Sequence, residues 1–576
     1  MQPILVADSR RLTGPSLLLD RPGAALEVRL DDARREPAIA AWRAAARRLL
    51  DAVGWPDERL AARAFAGGAS LALTAPVDAL YAATDLNEAA WEAASASLDG
   101  RAAEAEALVT ARLRQAIADE HDPGLVALRD AARARDLTFL AGEELVSVGS
   151  GTGVMAWPAG ALPEAAAVAW DKVHDVPVAL VTGSNGKTTV VRLLAAILEE
   201  TGRTVGFTST DGVSVHGVTV AEGDYAGPSG ARMLLRRPEV EAAVLETARG
   251  GLLRRGLSVD RASVAVVTNV AEDHLGEFGI QALGDLADVK LLVARAVRPG
   301  GAVVLNADDP LLVQRAHASP VVVWFSLDPA NPVVSRHLAG GGSAVVCEDG
   351  WVALSHGPAR TPVLSVGEMP AALGGAARHN IANALAAVAA AAVLGVPAET
   401  AARALRRFGR AADDNVGRAN LLELGGVRLV IDYAHNPHGM AALVRMAAAL
   451  PAERRLVLIG QAGDRSDEAI RELVRAALTL EPDRVVLKDM ERYLRGRRPG
   501  ETPEIMADEL ARLGVPPEAV SRPGSELDAV RDALAWARAG DLLLLTVHQD
   551  RPLVLALIER LRAAGWRAGD GVAGES

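Results

Sequence analysis

Two series of short apolar runs separated by helical segments constrain the fold of this chain more than any other feature. The first series comprises residues 178–181, 243–245, 264–267 and 302–305, and the second comprises 428–431, 456–459, 484–487 and 542–545. Continuous apolar runs between helical segments are typical of parallel strands that are buried on both faces. We therefore predict a multidomain α/β protein with two separate, largely parallel sheets.

At 576 residues the chain is too long for a single core. We predict an N-terminal α+β substrate or docking domain at 1–165, a central doubly wound sheet at 166–412 and a smaller Rossmann-like α/β domain at 413–576. Within the first domain, Ala/Arg/Glu-rich sequence predicts helices at 34–50 and 87–120. Further helices are predicted near 380–394 and 398–408.

Composition excludes several classes of protein. The formal net charge of −12 argues against non-specific binding to nucleic acid, and Cys347, the only cysteine, excludes an intramolecular disulfide and a cysteine metal site. Charged residues lie too early for a secretory signal, and no apolar stretch predicts a membrane span. We expect a cytoplasmic protein that binds neither nucleic acid nor membrane.

A strand–turn–helix segment predicts a phosphate-binding loop. The apolar run 178–181 leads into a glycine turn, and a helix follows from the Lys-Thr-Thr sequence. Backbone N–H groups and a helix N-terminus bind anions, glycines allow close approach, and a lysine neutralises phosphate oxygens. The hydroxyl of Thr188 is placed to bind Mg²⁺. The predicted binding residues are Gly183, Ser184, Asn185, Gly186, Lys187, Thr188 and Thr189.

This loop, Thr-Gly-Ser-Asn-Gly-Lys-Thr-Thr at 182–189, resembles the phosphate loop of Mur ligases and folylpolyglutamate synthetases. The remaining motifs resemble the Mur-ligase half of the cyanophycin synthetases, and together they cover about 175–550. These motifs lie at 223–228, 246–256, 267–276, 305–310, 380–387, 417–418, 432–437 and 488–500. The resemblance implies an ATP-dependent carboxylate–amine ligase that forms an acyl phosphate and uses ATP and Mg²⁺.

The resemblance also implies roles for individual residues. Lys187, Glu246, His274 and Lys290 would be catalytic, and Thr188, Glu246 and His274 would hold Mg²⁺. Glu246 ends an apolar strand, where open α/β sheets present functional side chains. The lysine that matches Lys290 is carbamylated in many Mur ligases. The nucleotide would be bound by Asn380, Arg418 and Asp432.

One departure from the cyanophycin synthetases affects the predicted product. Only residues 150–181 separate Gly149 from the phosphate loop, so the ATP-grasp domain that precedes the Mur half of those enzymes does not fit there. We therefore expect one type of amide bond, with arginine or another amine joined to an aspartyl-type carboxylate acceptor, and a separate ATP-grasp ligase as partner. We also expect a homo-oligomer.

Three alternatives stay open from the sequence. The chain resembles a folylpolyglutamate-synthetase-like ligase in its phosphate loop, although the 246–256 and 488–500 motifs favour the cyanophycin branch. It could instead be a non-catalytic module that binds a nucleotide and a polymer. Finally, the region 1–150 could be the functional centre, as a docking domain for a polymer or a partner protein.

Overall fold

The computed structural model describes residues 5–273, 275–316, 321–411 and 414–572. Its first part contains an antiparallel sheet of strand order β1-β2-β4-β3, with two helices packed on one face and a small second sheet, β5-β6-β7. The elements are β1 Leu5–Leu12, β2 Gly23–Arg29, α1 Asp32–Val53, β3 Leu60–Phe65, β4 Gly68–Thr74, α2 Leu80–Leu98, α3 Glu106–Glu120, α4 Pro123–Arg133, β5 Phe139–Ala141, β6 Leu145–Val148 and β7 Met155–Pro158.

The sequence predicted a helix at 34–50, and α1 contains it. The single helix predicted at 87–120 is wrong, because α2 and α3 are separated by residues 99–105. Gly100 lies there with a φ of +65°, a left-handed conformation that ends a helix and favours glycine.

The central sheet has the strand order β11-β10-β9-β12-β8-β13-β14-β15-β16-β17-β18. Within this sheet order, each pair of neighbouring strands between β9 and β16 is parallel. The pairs outside this segment, β11-β10 and β10-β9 at one end and β16-β17 and β17-β18 at the other, are antiparallel. The elements are β8 Val178–Thr182, α5 Lys187–Glu199, β9 Val205–Ser209, β10 Gly212–Val215, β11 Val218–Glu222, α6 Pro228–Leu235, β12 Ala242–Glu246, α7 Arg249–Arg255, β13 Ala262–Val267, α8 Leu283–Lys290, β14 Val297–Asn306, α9 Pro310–Arg315, β15 Val322–Ser326, α10 Pro332–Ala339, β16 Ser343–Glu348, β17 Trp351–His356, β18 Ala359–Ser365, α11 Arg378–Val393 and α12 Ala398–Arg407.

Helices cover both faces of the central sheet. Ala179 and Val181 of β8 point into a core shared with α5 and α11, whereas Val178 and Leu180 point into a second core shared with α6, α7 and α8. Successive side chains of a strand face opposite sides, so a strand buried on both faces reads as a continuous apolar run. The predicted α/β fold class is confirmed.

The third sheet has the strand order β19-β20-β24-β21-β22-β23, with β19 antiparallel and the others parallel. Its elements are β19 Asn420–Leu424, β20 Val427–Asp432, α13 Pro437–Ala448, β21 Arg455–Ile459, α14 Asp467–Leu478, β22 Arg484–Leu487, α15 Glu501–Arg512, β23 Val520–Ser521, α16 Glu526–Trp536, β24 Leu542–Thr546 and α17 Arg551–Ala563. Among the described residues, no helix is long and apolar enough to cross a membrane.

Candidate functional site

The loop between β8 and α5 has a shape that two of its residues can adopt only as glycine. Gly183 has a φ of +149°, and a Cβ there would lie 1.8 Å from Thr268 Oγ1. Gly186 has a φ of +83°, and a Cβ there would lie 2.2 Å from Asn383 Oδ1. The backbone of this loop therefore packs closely against Thr268 and Asn383 at the position where the sequence predicted a phosphate site. Helix α5 begins directly after it, at Lys187.

Glu246 lies at the end of β12, beside the start of α5. Its side chain is buried, with 2% of the residue exposed, and Oε2 accepts a hydrogen bond of 2.8 Å from Thr188 Oγ1. Oε1 is buried and has no hydrogen-bond partner among the described residues. Burial raises the pKa of Glu246, and the charges of Lys187 and Arg418 oppose that rise. A buried carboxylate with a free oxygen beside a hydroxyl is suited to a cation such as Mg²⁺, which prefers oxygen ligands.

The remaining predicted metal ligand, His274, lies outside the described residues. The described part of the chain contains no group of three or more histidine, cysteine or acidic side chains arranged to hold a metal ion. The oxygen pair of Thr188 and Glu246 is therefore the portion of the predicted Mg²⁺ site that can be described, and it fits the ion by donor type.

Lys290 ends α8 and is buried, with 2% of the residue exposed. Burial lowers the pKa of Lys290 to about 7, and repulsion from Lys187 adds to this, whereas Asp273 opposes it. An amine with such a pKa is substantially neutral at physiological pH, and a neutral amine is the nucleophile that carbamylation requires. Lys290 does not line the cavity described below, although the charge of Lys187 acts on it.

Arg418 reaches the phosphate loop from the other side, just before β19. Its Nη2 donates to Thr188 Oγ1 at 3.5 Å and to Thr210 Oγ1 at 3.4 Å, and its guanidinium carbon lies 4.6 Å from the centre of the Tyr433 ring. Its buried Nε has no hydrogen-bond partner among the described residues. Arg418 therefore adds a second cation to the site, with Lys187 on the opposite element.

Asp432 ends β20 and lines the same space. Its two carboxylate oxygens accept hydrogen bonds from the backbone N–H groups of Ala419 at 2.7 Å and Ala434 at 2.6 Å. Burial raises the pKa of Asp432, and Arg418 opposes the rise. These contacts fix the backbone on both sides of Asp432, so the carboxylate shapes the wall that carries Arg418 and Tyr433.

Asn380 lies in the first turn of α11, three residues after the N-cap position Ala377. Its Nδ2 donates to Ala371 O at 3.0 Å, and its Oδ1 accepts from Asn383 Nδ2 at 3.3 Å. The neighbouring His379 also lines the cavity, and burial lowers the pKa of this imidazole to about 4. Asn380 and Asn383 are buried polar residues on the helix that contacts the phosphate loop.

These elements enclose a cavity of about 670 Å³ between the central and third sheets. Ligand sites in proteins commonly measure about 300–1,000 Å³. The predicted site residues that line the cavity are Ser184, Asn185, Gly186, Lys187, Thr188, Thr189, Glu246, Asn380, Arg418 and Asp432. Gly183 shapes the loop without lining the cavity.

Side chains of the third-sheet region contact the phosphate loop directly. Asn436 Nδ2 donates to Asn185 Oδ1 at 3.0 Å, and Asn185 Nδ2 lies 3.0 Å from His438 Nδ1. Arg465 pairs with Asp273 at 3.1 Å, and Arg551 pairs with Asp211 at 2.6 Å. The two regions are therefore held together around the cavity.

Sequence reasoning missed Thr210, Asn383 and His438 as cavity residues. Asn383 had a detectable signal, because it is polar within an alanine-rich helix and lies one turn after Asn380. Thr210 follows a strand end, where a ligand-facing residue is expected in an open α/β sheet. His438 had no such signal, since its contact with Asn185 spans two parts of the chain that are distant in sequence.

Comparisons with known proteins agree with the motifs found in the sequence. A family model described as Mur ligase middle domain matches residues 181–391, and one described as Mur ligase, glutamate ligase domain, matches 417–546. The cyanophycin synthetase of Synechocystis sp. is 43% identical over 332 residues, which cover 58% of this chain and 38% of that protein. This chain therefore matches less than half the length of that relative. The matches confirm the resemblance inferred from the motifs.

A second curated relative is matched over a larger share of its own length. The UDP-N-acetylmuramoyl-L-alanyl-D-glutamate–2,6-diaminopimelate ligase of Xanthomonas campestris pv. campestris is 27% identical over 395 residues, covering 65% of this chain and 72% of that protein. Among solved structures, FolC of E. coli in complex with ADP has a TM-score of 0.49 and 21% identity, covering 67% of this chain and 90% of that one.

Proposed function

The chain belongs to the Mur ligase family of ATP-dependent carboxylate–amine ligases, and from this premise we propose that its cavity binds ATP and the carboxylate that ATP activates. A carboxylate oxygen attacks the γ-phosphorus and ADP leaves, which gives an acyl phosphate. The amine nitrogen then attacks the acyl carbon, inorganic phosphate leaves, and the amine loses a proton. The observation that carries this proposal is the convergence of Lys187, Thr188, Glu246 and Arg418 on one cavity.

Phosphoryl transfer depends mainly on positioning and on stabilisation of negative charge. The loop backbone and the start of α5 bind the phosphates, and Lys187 and Arg418 place positive charge on opposite sides of them. Thr188 and Glu246 would hold Mg²⁺, with His274 as a further ligand implied by the resemblance to the family, and the ion would neutralise phosphate oxygens. Asn380 binds the adenine or ribose end, and Asp432 binds the ribose from the third-sheet side.

Closure of the third-sheet region against the central-sheet region protects the acyl phosphate from water. The contacts of Asn436 and His438 with Asn185 and of Arg551 with Asp211 keep the third-sheet region against the phosphate loop. Exclusion of water strengthens electrostatic interactions and prevents hydrolysis of a reactive intermediate. Both effects favour attack by the amine.

Lys290 completes this proposal as a carbamylated residue. Burial and the low pKa leave its amine available for reaction with CO₂. The neutral amine nitrogen forms a bond to the carbon of CO₂ and loses a proton, and the resulting carbamate carries one negative charge. The carbamate therefore places a negative charge, and no longer a group that can become a cation, near Lys187.

For the substrates, we propose an amino acid such as arginine as the amine and an aspartyl-type side-chain carboxylate as the acceptor. The support is the similarity to the Mur half of cyanophycin synthetase, including the motifs at 246–256 and 488–500. The acceptor is then made by a separate ATP-grasp ligase and held near the cavity by the N-terminal region at 1–165. A folylpolyglutamate-synthetase-like substrate is the alternative.

The test is a matrix of amines and carboxylate acceptors, scored by ADP and phosphate release and by mass spectrometry of the product. We expect phosphate release that requires both substrates and a product carrying a single new amide bond. With ATP, Mg²⁺, free aspartate and arginine alone, no long alternating polymer should form. Such a polymer would contradict the single-bond proposal, and an absence of nucleotide binding would contradict the proposed function itself.

A further inference from the structure

Lys488, Glu526 and His548 form a buried polar cluster at the carboxyl-terminal edge of the third sheet. Lys488 follows β22, Glu526 begins α16, and His548 follows β24. The side chains of Lys488 and Glu526 are 0% exposed and form an ion pair. Lys488 Nζ also donates to Thr546 O at 2.5 Å and lies 2.9 Å from His548 Nδ1. Each of the three ammonium protons thus has an acceptor.

The lysine determines which nitrogen of His548 carries a proton. An ammonium group has no lone pair, so His548 Nδ1 accepts the hydrogen bond and Nε2 holds the ring proton. Nε2 then donates to Ala434 O at 3.1 Å, and the Tyr433 ring packs edge-on against the imidazole with centroids 5.0 Å apart. Burial, followed by the charge of Lys488, lowers the pKa of His548, so the imidazole is neutral. Because Tyr433 and Ala434 line the cavity, the cluster fixes part of its wall.

Glu526 fixes a second contact with the central region. Its carboxylate accepts hydrogen bonds from the backbone N–H groups of residues 548–550, at 2.7–3.1 Å. These residues lead directly into α17, whose first residue, Arg551, pairs with Asp211. Asp211 in turn pairs with Arg192 of α5 at 3.0 Å, on the helix that begins at the phosphate loop.

We propose that Lys488, Glu526 and His548 are positioning residues for the nucleotide. They hold the cavity wall at Tyr433–Ala434 and the start of α17. Arg418 and Arg551 are thereby kept facing the central region. The connection is continuous, since Tyr433 packs on His548 and Arg418 lies over Tyr433 while it contacts Thr188. This inference rests on the proposed function of the cavity as a nucleotide site. It also gives a role to Lys488, the first residue of the 488–500 motif.

The first test compares His548→Ala with His548→Gln. The glutamine amide can place a donor near the position of the imidazole Nε2, whereas alanine leaves Ala434 O without that donor. We expect His548→Ala to raise the Kd for MgADP and the KM for ATP about 3- to 10-fold, the effect of one lost hydrogen bond. His548→Gln should recover most of that loss. Equal nucleotide affinity in folded His548→Ala and the wild type would overturn the inference.

The second test separates positioning from stability. The double variant Lys488→Met/Glu526→Gln removes both charges, so neither is left buried and unpaired. Its control is Asp541→Asn, which breaks the Arg454–Asp541 ion pair at the opposite edge of the same sheet, where Asp541 is also buried. We expect both variants to lower the Tm but only the double variant to weaken MgADP binding.

The results distinguish this inference from the proposed function. If the wild type binds no nucleotide, the proposed function is wrong. If the wild type binds nucleotide and the double variant binds it equally well, or if Asp541→Asn weakens binding as much as the double variant, the positioning role is wrong and the proposed function stands.

Discussion

Replacement of Glu246 by glutamine should stabilise the ligand-free protein while it removes ligase activity. Oε2 of Glu246 is hydrogen bonded to Thr188, and a glutamine carbonyl oxygen can keep that bond. The buried negative charge, whose Oε1 has no partner among the described residues, is lost. A stabilising substitution commonly adds about 0.5–2 kcal/mol to the free energy of unfolding, and we expect the loss of this buried charge to fall in that range. At about 2–4 °C per kcal/mol for a domain of this size, the Tm should rise by about 1–8 °C.

The activity of Glu246→Gln should fall by about 10²-fold or more, since removal of one electrostatic contact to the transition state typically costs that much. The assays are thermal unfolding with and without MgATP and the rate of ADP formation. MgATP should raise the Tm of the wild type more than that of the variant, because ligand that binds the folded state stabilises it by mass action.

Glu27 provides a matched control in the N-terminal sheet. It is also 2% exposed, burial raises the pKa of its carboxyl, and its Oε2 lacks a hydrogen-bond partner among the described residues. Glu27→Gln should leave ADP formation unchanged. The reasoning fails if Glu246→Gln retains wild-type turnover, or if it is less stable than the wild type while remaining folded.

Three further predictions concern Lys187, Lys290 and His379. Lys187→Ala should keep the fold and lose about 10²- to 10³-fold in turnover, because it removes a cation that the phosphates face; near-wild-type turnover would refute the phosphate-site assignment. A high-resolution structure should show a carbamate on Lys290, and small carboxylates should restore activity to Lys290→Ala; an unmodified Lys290 in active enzyme would count against this role. Burial lowers the pKa of His379 from 6.5 to about 4, so between those values the unfolded chain binds a proton that the folded chain does not. The free energy of unfolding should therefore fall as the pH drops from 6.5 towards 4. The slope should be below about 1.4 kcal/mol per pH unit, since His379 is partly exposed. His379→Gln should flatten that slope in pH-dependent denaturant titrations, and an unchanged slope would exclude this origin.

The strands and the glycine-dependent shape of the loop before α5 were predictable because their signals are local. A strand buried on both faces must be apolar throughout, so β8, β13 and β24 are readable from a few residues each. The loop before α5 needs glycine at 183 and 186 because a Cβ would clash there, and the sequence contains glycine at both positions. The helices α11 and α12 begin and end close to their predicted positions, because the signals that predict these helices are also local.

Other features of the fold depended on contacts that the sequence pattern does not contain. The break between α2 and α3 was missed, because alanine and charged residues favour a helix on both sides of it. The antiparallel strands at both ends of the central sheet were not predicted. β11 and β18 are largely exposed and contain no continuous apolar run, so they lack the local signal that marks the buried parallel strands.

The sequence by itself determined the layered α/β architecture, the shape of the loop before α5 and the family, since each depends on residues that are close together along the chain. Only the tertiary structure decided which distant side chains meet. Arg418 reaches Thr188 across 230 positions, Asn436 reaches Asn185 across 251, and Arg551 reaches Asp211 across 340. The buried hydrogen bonds of Lys488 with Glu526 and His548 likewise join residues at the ends of separate elements. Periodicity reports which face of an element is buried, whereas these pairings follow from how the sheets pack together.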